Sequence, residues 1–282
     1  MTTYAVTAST GRFGQQALKQ LVTKVASSDV VALARNVEKA KKLVPAGVTI
    51  RQADYDHPEQ LAAALKGVDR LLFISSQPGG PVSRQQQHAN VIAAAEVDGV
   101  SYITYTSFPH ADTSKAALAI DHKYTEEAIA SAGIQHSFLR NNWYLENELP
   151  RLQAAANGGD FLYAGGDAQV GWALEREYAE AAADVLASTS TKDVYEFAGK
   201  ARSYHDLAAG ISGDFAIKNV DDAAYQAALV ANGLSAKLAG IIAGGQKMIR
   251  DGVLSERTTA LIDVLGHSLT PLPDAIAEVL KK

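Results

Sequence analysis

Cysteine is absent from the 282-residue sequence, and its absence excludes several kinds of chemistry. Without a thiol the chain forms no disulfide, has no cysteine nucleophile and binds no metal through a cysteine thiolate. Positive charge is also scarce, because 26 Lys and Arg residues stand against 31 Asp and Glu residues and give a net charge of −5. A broad basic surface for nucleic acid is therefore not expected.

Long apolar runs are missing as well. No run approaches the roughly 20 residues that a membrane-spanning helix needs, so no membrane partner is expected. The opening "MTTYAVTAST" lacks the basic and apolar regions of a signal peptide. The sequence therefore predicts a soluble protein located in the cytoplasm.

What the sequence does contain is an alternation of short β-rich runs and helical patterns over its first 200 residues. The predicted strands cover 4–8, 29–34, 47–52, 70–75, 101–106, 135–140 and 194–199. The predicted helices lie near 12–25, 37–43, 57–66, 84–98, 115–132 and 177–188. This alternation is typical of an α/β fold whose doubly wound parallel sheet binds ligands at the carboxyl ends of its strands.

The alternation stops near residue 200, where short amphipathic helical patterns take over. We expect the sheet domain to cover residues 1–150, with the strand 194–199 joining its sheet. A smaller, mainly helical C-terminal lobe that binds substrate is expected over residues 151–282. Within "DHPEQL", Asp56 and Glu59 are spaced as a capping box for the following helix, and Pro58 suits its first turn.

The stretch "AVTASTGRFG" lies between the first strand and the first helix. Gly11 and Gly14 are three residues apart, and Ala8 stands where the first glycine of a phosphate-binding loop is usual. Small residues let backbone N–H groups approach a pyrophosphate at a helix N-terminus. Ala8 fits this role if its φ is negative. The pattern favours a dinucleotide-binding loop, and the alternative is a tight turn that holds no ligand.

The end of the second strand indicates which dinucleotide would bind. Proteins that bind NAD place an acidic residue there for the ribose hydroxyls, whereas this sequence has Arg35, with Lys39 nearby. A guanidinium suits the 2′-phosphate, so NADPH is favoured over NADH. The alternative is that these basic residues form the solvated start of a helix. Asp54, after the third strand, is placed to meet the adenine amine or serves as an ordinary turn aspartate.

Six segments spread over residues 1–200 carry a family resemblance: "VTASTGRFG", "ALARNVEKA", "LLFISS", "YTSFPHADTS", "LRNNWYLEN" and "VYEFAG". Together they resemble the NmrA-like branch of the atypical short-chain dehydrogenase/reductases, close to its bacterial NADPH quinone oxidoreductases and triphenylmethane-dye reductases. The resemblance implies an NADPH-binding Rossmann domain with a cleft between it and the C-terminal lobe. Two departures stand out, because Ala8 replaces the first glycine and "WALEREY" lacks an expected Thr-Arg pair.

The resemblance also implies which residues contact the cofactor. The dinucleotide loop is matched by Thr7, Ser9, Thr10, Gly11, Arg12, Phe13 and Gly14. Arg35 matches the 2′-phosphate contact, and the positions near adenine are matched by Asp54 and Tyr55. The contacts beside the nicotinamide ribose are Ser75, Ser76 and Gln77, together with Ser107 at the end of the fifth strand.

A typical short-chain dehydrogenase has a catalytic Tyr and Lys four residues apart, and this pair is missing. Tyr124 is followed at that spacing by Ala128, and His122 stands roughly where the resemblance would place the lysine. Strong protonation of a carbonyl is not provided for, so ordinary alcohol dehydrogenation is not expected. A quinone is a strong hydride acceptor and mainly needs positioning. Water or His122 would deliver the proton, unless His122 is simply an exposed helix residue.

The segment "RNNWYLEN" follows the sixth strand and supplies three candidate acceptor contacts. Trp143 or Tyr144 would stack on a planar acceptor while Asn142 orients its carbonyl. The alternative is that these aromatic residues only join the two lobes. His110 and Asp112 share one loop, but two such residues are poor support for a metal site, and no metal is expected.

These observations favour an NADPH-dependent oxidoreductase that transfers a hydride to a quinone or a similar planar, electron-poor molecule. One alternative is an NAD(P)-binding redox sensor without turnover, and another is a reductase of synthetic dyes. The expected partner is a small quinone-like substrate. The sequence leaves the oligomeric state open, a homodimer included.

Overall fold

A parallel sheet is the centre of the computed structural model, which describes residues 1–281. The strands of the chain are β1 (Tyr4–Val6), β2 (Val30–Ala34), β3 (Thr49–Gln52), β4 (Arg70–Phe73), β5 (Tyr102–Ser107), β6 (Gln135–Asn141), β7 (Phe161–Tyr163), β8 (Val194–Phe197) and β9 (Ile217–Asn219). Within the described residues the main sheet has the order β3-β2-β1-β4-β5-β6-β8, and its neighbouring strands are parallel. The predicted doubly wound parallel sheet is confirmed.

The strand order reverses at β1, which pairs with β2 on one side and with β4 on the other. Doubly wound sheets bind ligands at the carboxyl ends of the strands where this reversal occurs. The loops that follow β1 and β4 therefore lie at the edge of the sheet that is suited to a ligand.

Helices connect the strands and continue beyond the last of them. They are α1 (Arg12–Lys24), α2 (Val37–Ala40), α3 (Pro58–Leu65), α4 (Arg84–Val97), α5 (Ala117–Ser131), α6 (Leu149–Ala156), α7 (Glu175–Ala187), α8 (Tyr204–Ala208), α9 (Asp222–Ala231), α10 (Ala236–Arg250), α11 (Ala260–Leu265) and α12 (Leu272–Leu280). The helices predicted before residue 190 are present, with ends that differ by a few residues. Across residues 1–281, no helix has both the length and the hydrophobicity needed to cross a membrane.

Apolar side chains fill the space between the main sheet and three of its helices. Every residue of β2 and of β5 is buried, which is typical of strands covered on both faces. One core cluster joins strand residues to Leu61 of α3, Val91 of α4 and Ile129 of α5. This packing fixes the strand ends from which the ligand-binding loops leave the sheet.

The start of α3 differs in one detail from the sequence prediction. Pro58 is the first residue of the helix, as predicted, but the capping box of Asp56 and Glu59 is wrong, because His57 occupies the N-cap position. Asp56 instead accepts a hydrogen bond from the Gln87 side chain of α4 at 2.7 Å. Gln87, which is distant in sequence, therefore binds the carboxylate that the local spacing predicts as a helix cap.

The chain divides into two compact units that are each discontinuous in sequence. The sequence prediction places a boundary at residue 150 and has the strand 194–199 join the sheet of the first domain. The first unit comprises Met1–Asn141, Glu175–Phe197 and Ala260–His267, and it contains the main sheet. The second comprises Asn142–Leu174, Ala198–Thr259 and the chain from Ser268 onward. Its helices were predicted in outline, whereas β7 and β9 were not, because strands of three residues are too short to show a periodicity.

Candidate functional site

The loop after β1 is tied to both neighbouring strands by buried hydroxyl groups. The Thr7 N–H donates to the carbonyl of Leu72 at 3.0 Å, and the Thr7 hydroxyl accepts from the N–H of Ile74 at 2.9 Å. Ser9 donates both its N–H and its hydroxyl to the carbonyl of Leu33, at 3.2 and 2.9 Å. These side chains thus anchor the loop at the point where the strand order reverses, so its backbone is the part that faces a ligand.

Two glycines let α1 begin directly against this loop. A Cβ on Gly14 would lie 2.5 Å from the carbonyl oxygen of Ala8 and 2.9 Å from Cα of Ser9. Gly11 closes the turn by donating its N–H to the same Ala8 carbonyl at 2.9 Å, and it occupies the N-cap of α1. Gly11 has no side chain that could accept from the first-turn N–H groups, so this helix end is suited to a pyrophosphate.

Ala8 adopts a left-handed backbone conformation, with φ +48°. The condition under which alanine suits this position, a negative φ, is therefore not met. An L-residue in this region carries a cost of roughly 1–2 kcal/mol. Because Ala8 is exposed, its methyl group gains little burial to offset that cost. The loop thus keeps the backbone shape that glycine would allow freely.

Three further loop residues differ in what they can offer a ligand. Phe13 is buried, so its ring belongs to the core and its backbone alone is available at the helix end. Arg12 is largely exposed, and its Nε lies 3.1 Å from a carboxylate oxygen of Glu175 at the start of α7. Thr10 accepts a hydrogen bond from the Gln15 side chain through its carbonyl at 3.1 Å. Arg12 is therefore the one side chain of these three that can carry positive charge to a phosphate.

The end of β2 presents a positive charge and no acidic side chain. Arg35 follows the strand directly and is exposed. Asn36 comes next and caps α2, since its side chain accepts the N–H of Lys39 at 2.8 Å. The cap fixes where the chain turns after β2 and leaves Arg35 as the exposed basic residue at the strand end.

The polar residues after β3 are held by local hydrogen bonds. The Asp54 carboxylate accepts the N–H of Asp56 at 3.2 Å, which forms a short turn. The Tyr55 hydroxyl donates to the carbonyl of Ile74 at 2.7 Å, and burial raises the pKa of this hydroxyl. Tyr55 therefore links the loop after β3 to the loop after β4 as a neutral donor.

The loop after β4 is held through its backbone N–H groups. Ser75 donates its N–H to the hydroxyl of Thr106 at 2.8 Å, and Ser76 donates to Nε2 of His88 at 3.0 Å. Gln77 follows and is exposed. Side chains of β5 and α4 thus set the position of the two serines, whose own hydroxyls lie at this loop.

His88 is a buried residue that sequence reasoning missed, because a single histidine on an apolar helix face gives no signal of its own. Its Nδ1 lies 2.8 Å from the Thr125 hydroxyl, which itself donates to the carbonyl of Asp121. Nδ1 must therefore donate, and Nε2 carries the lone pair that accepts the Ser76 N–H. Burial, assisted by the charge of Arg84, lowers the pKa of His88 to about 3, so the imidazole stays neutral.

His122 is buried as well, so its interpretation as an exposed helix residue is wrong. Its Nδ1 lies 2.9 Å from the hydroxyl of Tyr105, and its ring stacks on Phe108 with centroids 6.0 Å apart. Burial, with the nearby charge of Arg84, holds the pKa of His122 well below its usual 6.5. His122 is a neutral imidazole at pH 7, which disfavours it as the group that delivers a proton.

Ser107 donates its hydroxyl proton to a buried carboxylate. The Ser107 oxygen lies 2.5 Å from Oε1 of Glu126, whose two oxygens accept from Arg140 at 3.0 and 2.7 Å. Arg140 also contacts Glu196 and Asp112, each at 2.9 Å. Ser107 therefore presents lone pairs, and it does not have the donor role that a short-chain dehydrogenase serine plays toward a carbonyl.

The loop with His110 and Asp112 takes part in the same charge cluster. Asp112 pairs with Arg140, and Nδ1 of His110 lies 3.4 Å from Glu196, whose pKa is raised by burial. His110 has a φ of +47°, which brings its backbone N–H to within 3.3 Å of the same Glu196 carboxylate. Asp112 is thus accounted for as an ion-pair partner of Arg140, and His110 as a partner of Glu196.

The candidate acceptor residues begin the second unit. Asn142 is buried, donates to the carbonyl of Leu254 at 3.2 Å and accepts the N–H of Trp143 at 2.8 Å. Trp143 is half-buried, and its indole N–H donates to the carboxylate of Glu148 at 3.0 Å. Tyr144 is also half-buried and forms a β-bridge with Ala173. Two aromatic side chains thus keep part of their surface accessible on a fixed backbone.

Known proteins match this chain over most of its length. The profile of a family described as NAD(P)H-binding matches residues 8–170. Quinone oxidoreductase 2 of Escherichia coli strain K12 is 38% identical over 281 residues, which cover 98% of each chain. The structure of that E. coli enzyme complexed with NADPH superposes with a TM-score of 0.92, covering 98% of this chain and 99% of that one. Triphenylmethane reductase of Citrobacter sp., complexed with NADP(H), gives a TM-score of 0.92 at 32% identity, covering 99% and 100%.

A glycine-rich turn at the switch point of a doubly wound sheet defines a dinucleotide-binding Rossmann protein. The chain belongs to the NAD(P)H-binding family. Within that family its relatives include a quinone oxidoreductase and a triphenylmethane reductase, so the resemblance predicted from the sequence is confirmed.

The strain at Ala8 predicts a stabilising substitution. Ala8→Gly should raise the free energy of unfolding by about 0.5–1 kcal/mol, because the relief of the left-handed strain exceeds the entropy that glycine adds to the unfolded chain. Denaturant unfolding measures the change. Ala26→Gly is the matched control, since Ala26 is equally exposed but has φ −63°, and it should lower the stability. A loss of stability in Ala8→Gly as large as in the control would contradict the prediction.

The role of His88 predicts a pH effect whose sign follows from its lowered pKa. Unfolded His88 gains a proton as the pH falls below about 6.5, whereas folded His88 stays neutral down to about 3. The free energy of unfolding should therefore decrease on acidification through this window. His88→Gln removes the effect, so its loss of stability between pH 6 and pH 4 should be smaller by up to about 1.4 kcal/mol per pH unit.

The same residue predicts a difference between two substitutions. Glutamine keeps an oxygen that can accept the Ser76 N–H, whereas His88→Leu leaves that donor without its partner. We expect His88→Leu to raise the KM for NADPH roughly tenfold and His88→Gln to change it less than threefold, consistent with about 1–3 kcal/mol for a buried donor left unpaired. Steady-state kinetics check this expectation, and equal KM values in the two variants would refute it.

Proposed function

We propose that this chain is an NADPH-dependent oxidoreductase that transfers a hydride to a quinone or a similar planar, electron-poor acceptor. One observation carries the proposal, namely that the Ser107 hydroxyl donates a hydrogen bond to Glu126 at 2.5 Å. With this donor occupied and the Tyr-Lys pair missing, the acceptor must take a hydride without strong acid assistance. A quinone does so, because aromaticity stabilises the hydroquinone anion that forms. The full-length similarity to E. coli quinone oxidoreductase 2 supports the same conclusion.

The cofactor would be held by residues of the first unit. We propose that the first-turn backbone of α1 binds the pyrophosphate and that Arg35 binds the 2′-phosphate. The remaining proposed contacts are Thr7, Ser9, Thr10, Arg12, Asp54, Tyr55, Ser75, Ser76, Gln77 and Ser107. The residues present fit such a group, since the space at Gly14 admits no Cβ and the exposed end of β2 is basic. When bound, NADPH supplies a hydride from its nicotinamide ring.

The proton for the reduced acceptor would come from water. The alternative donor, His122, is buried and neutral, which makes it a poor acid at pH 7. We assign to His122 a positioning role through its 2.9 Å contact with the Tyr105 hydroxyl. Protonation after hydride transfer is fast for an oxyanion in contact with solvent, so no side-chain acid is required.

The acceptor would be oriented by the residues that follow β6 in the chain. We propose that Trp143 or Tyr144 stacks on its plane, since both keep accessible ring surface on a fixed backbone. Asn142 would donate an amide N–H to a carbonyl of the acceptor. Flat aromatic contacts select for shape and tolerate different ring substituents.

Dye reduction is a second candidate, and the hydrogen bond from Ser107 to Glu126 favours it as well. A triphenylmethane cation is also a hydride acceptor that needs no proton in the transfer step, and the chain is similar to triphenylmethane reductase of Citrobacter sp. at 32% identity. The sensor alternative predicts binding of NADPH without turnover. The oligomeric state, a homodimer included, stays open, and a cytoplasmic location stays a prediction from the sequence.

The proposed function predicts an absorbance change at about 340 nm, the band of the reduced nicotinamide. Purified protein with NADPH and a simple benzoquinone should give an enzyme-dependent decay that is faster than with NADH. A triphenylmethane dye in place of the quinone, followed by its own colour, measures the second candidate in the same preparation. Tight NADPH binding without decay for any acceptor would favour the sensor.

The assignment of Arg35 predicts a change in cofactor preference. Arg35→Ala should raise the KM for NADPH tenfold to a hundredfold, because a hydrogen bond to a charged group contributes about 1.5–3 kcal/mol, and should leave the KM for NADH within a factor of two. Lys39→Ala is the matched control, since it removes one exposed positive charge nearby. Equal changes in the two variants would show that general charge, and not Arg35, determines the preference.

A further inference from the structure

Both tryptophans of the chain donate their indole N–H groups to one oxygen of a single buried carboxylate. Trp143 Nε1 lies 3.0 Å and Trp172 Nε1 lies 3.2 Å from Oε1 of Glu148, which is 1% exposed. We infer that Glu148 is a positioning residue that fixes the Trp143 indole as the surface on which a flat acceptor stacks. This inference rests on the proposed function, because it names the residue that orients its acceptor.

The two indoles differ in exposure, and this difference indicates which one faces a ligand. Trp172 is buried and makes an edge-to-face contact with Tyr204, the ring centroids being 5.3 Å apart, so it belongs to the core. Trp143 is half-buried, and its polar edge is the part bound by Glu148. A bond at the N–H edge stops the ring from rotating and leaves its face available. That geometry suits stacking against a planar molecule.

The carboxylate is itself held firmly. Oε2 of Glu148 lies 2.6 Å from Nε of Arg151, which is also buried. The Arg151 guanidinium donates further to the Tyr225 hydroxyl at 3.0 Å and to the Gln246 side chain at 3.3 Å, and it lies 4.8 Å from the centroid of the Tyr204 ring. Burying a carboxylate is costly unless it is paired and hydrogen-bonded; here Arg151 pairs with Oε2, and the two indole N–H groups supply the hydrogen bonds at Oε1.

Trp143 is also held through its backbone, by the residue proposed to orient the acceptor carbonyl. The backbone N–H of Trp143 donates to the Asn142 side chain, which donates in turn to the carbonyl of Leu254. Glu148 therefore fixes the stacking surface at one end while Asn142 fixes the backbone at the other. Ordering these groups before the acceptor arrives lowers the entropy cost of binding it.

The test compares two double variants that remove the buried ion pair in the same way. Replacing Arg151 by Met in both avoids an unpaired buried charge, so of Glu148→Gln/Arg151→Met and Glu148→Leu/Arg151→Met the first keeps an oxygen that can accept the indole N–H groups and the second does not. The leucine variant should raise the KM for benzoquinone about tenfold relative to the glutamine variant. The KM for NADPH should agree within a factor of two, which separates loss of positioning from general damage to the fold. Equal quinone KM values in the two folded variants would overturn the inference.

Tryptophan fluorescence supplies a second measurement that does not depend on turnover. Trp172→Phe leaves Trp143 as the sole tryptophan, so the emission reports on the proposed stacking surface. With Glu148 intact, the emission anisotropy should be that of an indole rotating with the whole protein, and benzoquinone should quench it saturably. A freely rotating indole, or quenching that does not saturate, would overturn the inference even if the double variants fail to fold. Saturable quenching without NADPH oxidation would refute the proposed function and leave the role of Glu148 standing.

Discussion

The close approach of α1 to the carbonyl of Ala8 is the constraint on which the candidate site depends. Gly14 has no room for a Cβ because this carbonyl and Cα of Ser9 lie where the Cβ would stand. Gly11 donates to the same carbonyl, so a single backbone oxygen determines where the helix begins. Because that oxygen must point toward α1, Ala8 is forced to a positive φ that alanine disfavours. The site is thus built at a cost in backbone strain, which is common where a loop is shaped for a ligand.

The side chains around the loops act mainly on other protein groups. Buried hydroxyls of Thr7 and Ser9 fix the loop after β1, and the lone pair of His88 fixes the N–H of Ser76. The two hydroxyls do not ionise in the physiological pH range, and burial keeps His88 neutral, so these contacts do not change with pH in that range. What remains exposed for a cofactor is therefore backbone together with a few charged side chains such as Arg35.

Sequence reasoning found the features that depend on local pattern and missed those that depend on tertiary contact. The strands, the main helices and the spacing of Gly11 and Gly14 follow from periodicity and from small residues at a turn. The capping role of Asp56 failed because Gln87, distant in sequence, binds its carboxylate. The φ of Ala8 and the burial of His122 could not be predicted from the sequence either, since both are set by packing against other elements.

Two buried carboxylates explain why hydride transfer without acid is the chemistry this chain suits. Glu126 accepts the hydrogen bond of the Ser107 hydroxyl, which would otherwise assist a carbonyl, and Arg140 keeps that carboxylate paired on both oxygens. Glu148 accepts hydrogen bonds from two indole N–H groups, so this carboxylate orients the two rings and is not placed as a proton donor. An acceptor reduced here must therefore tolerate hydride addition before protonation. Quinones meet this requirement by forming a stabilised anion, and triphenylmethane cations meet it by becoming neutral. The chain is similar to reductases of both kinds of molecule.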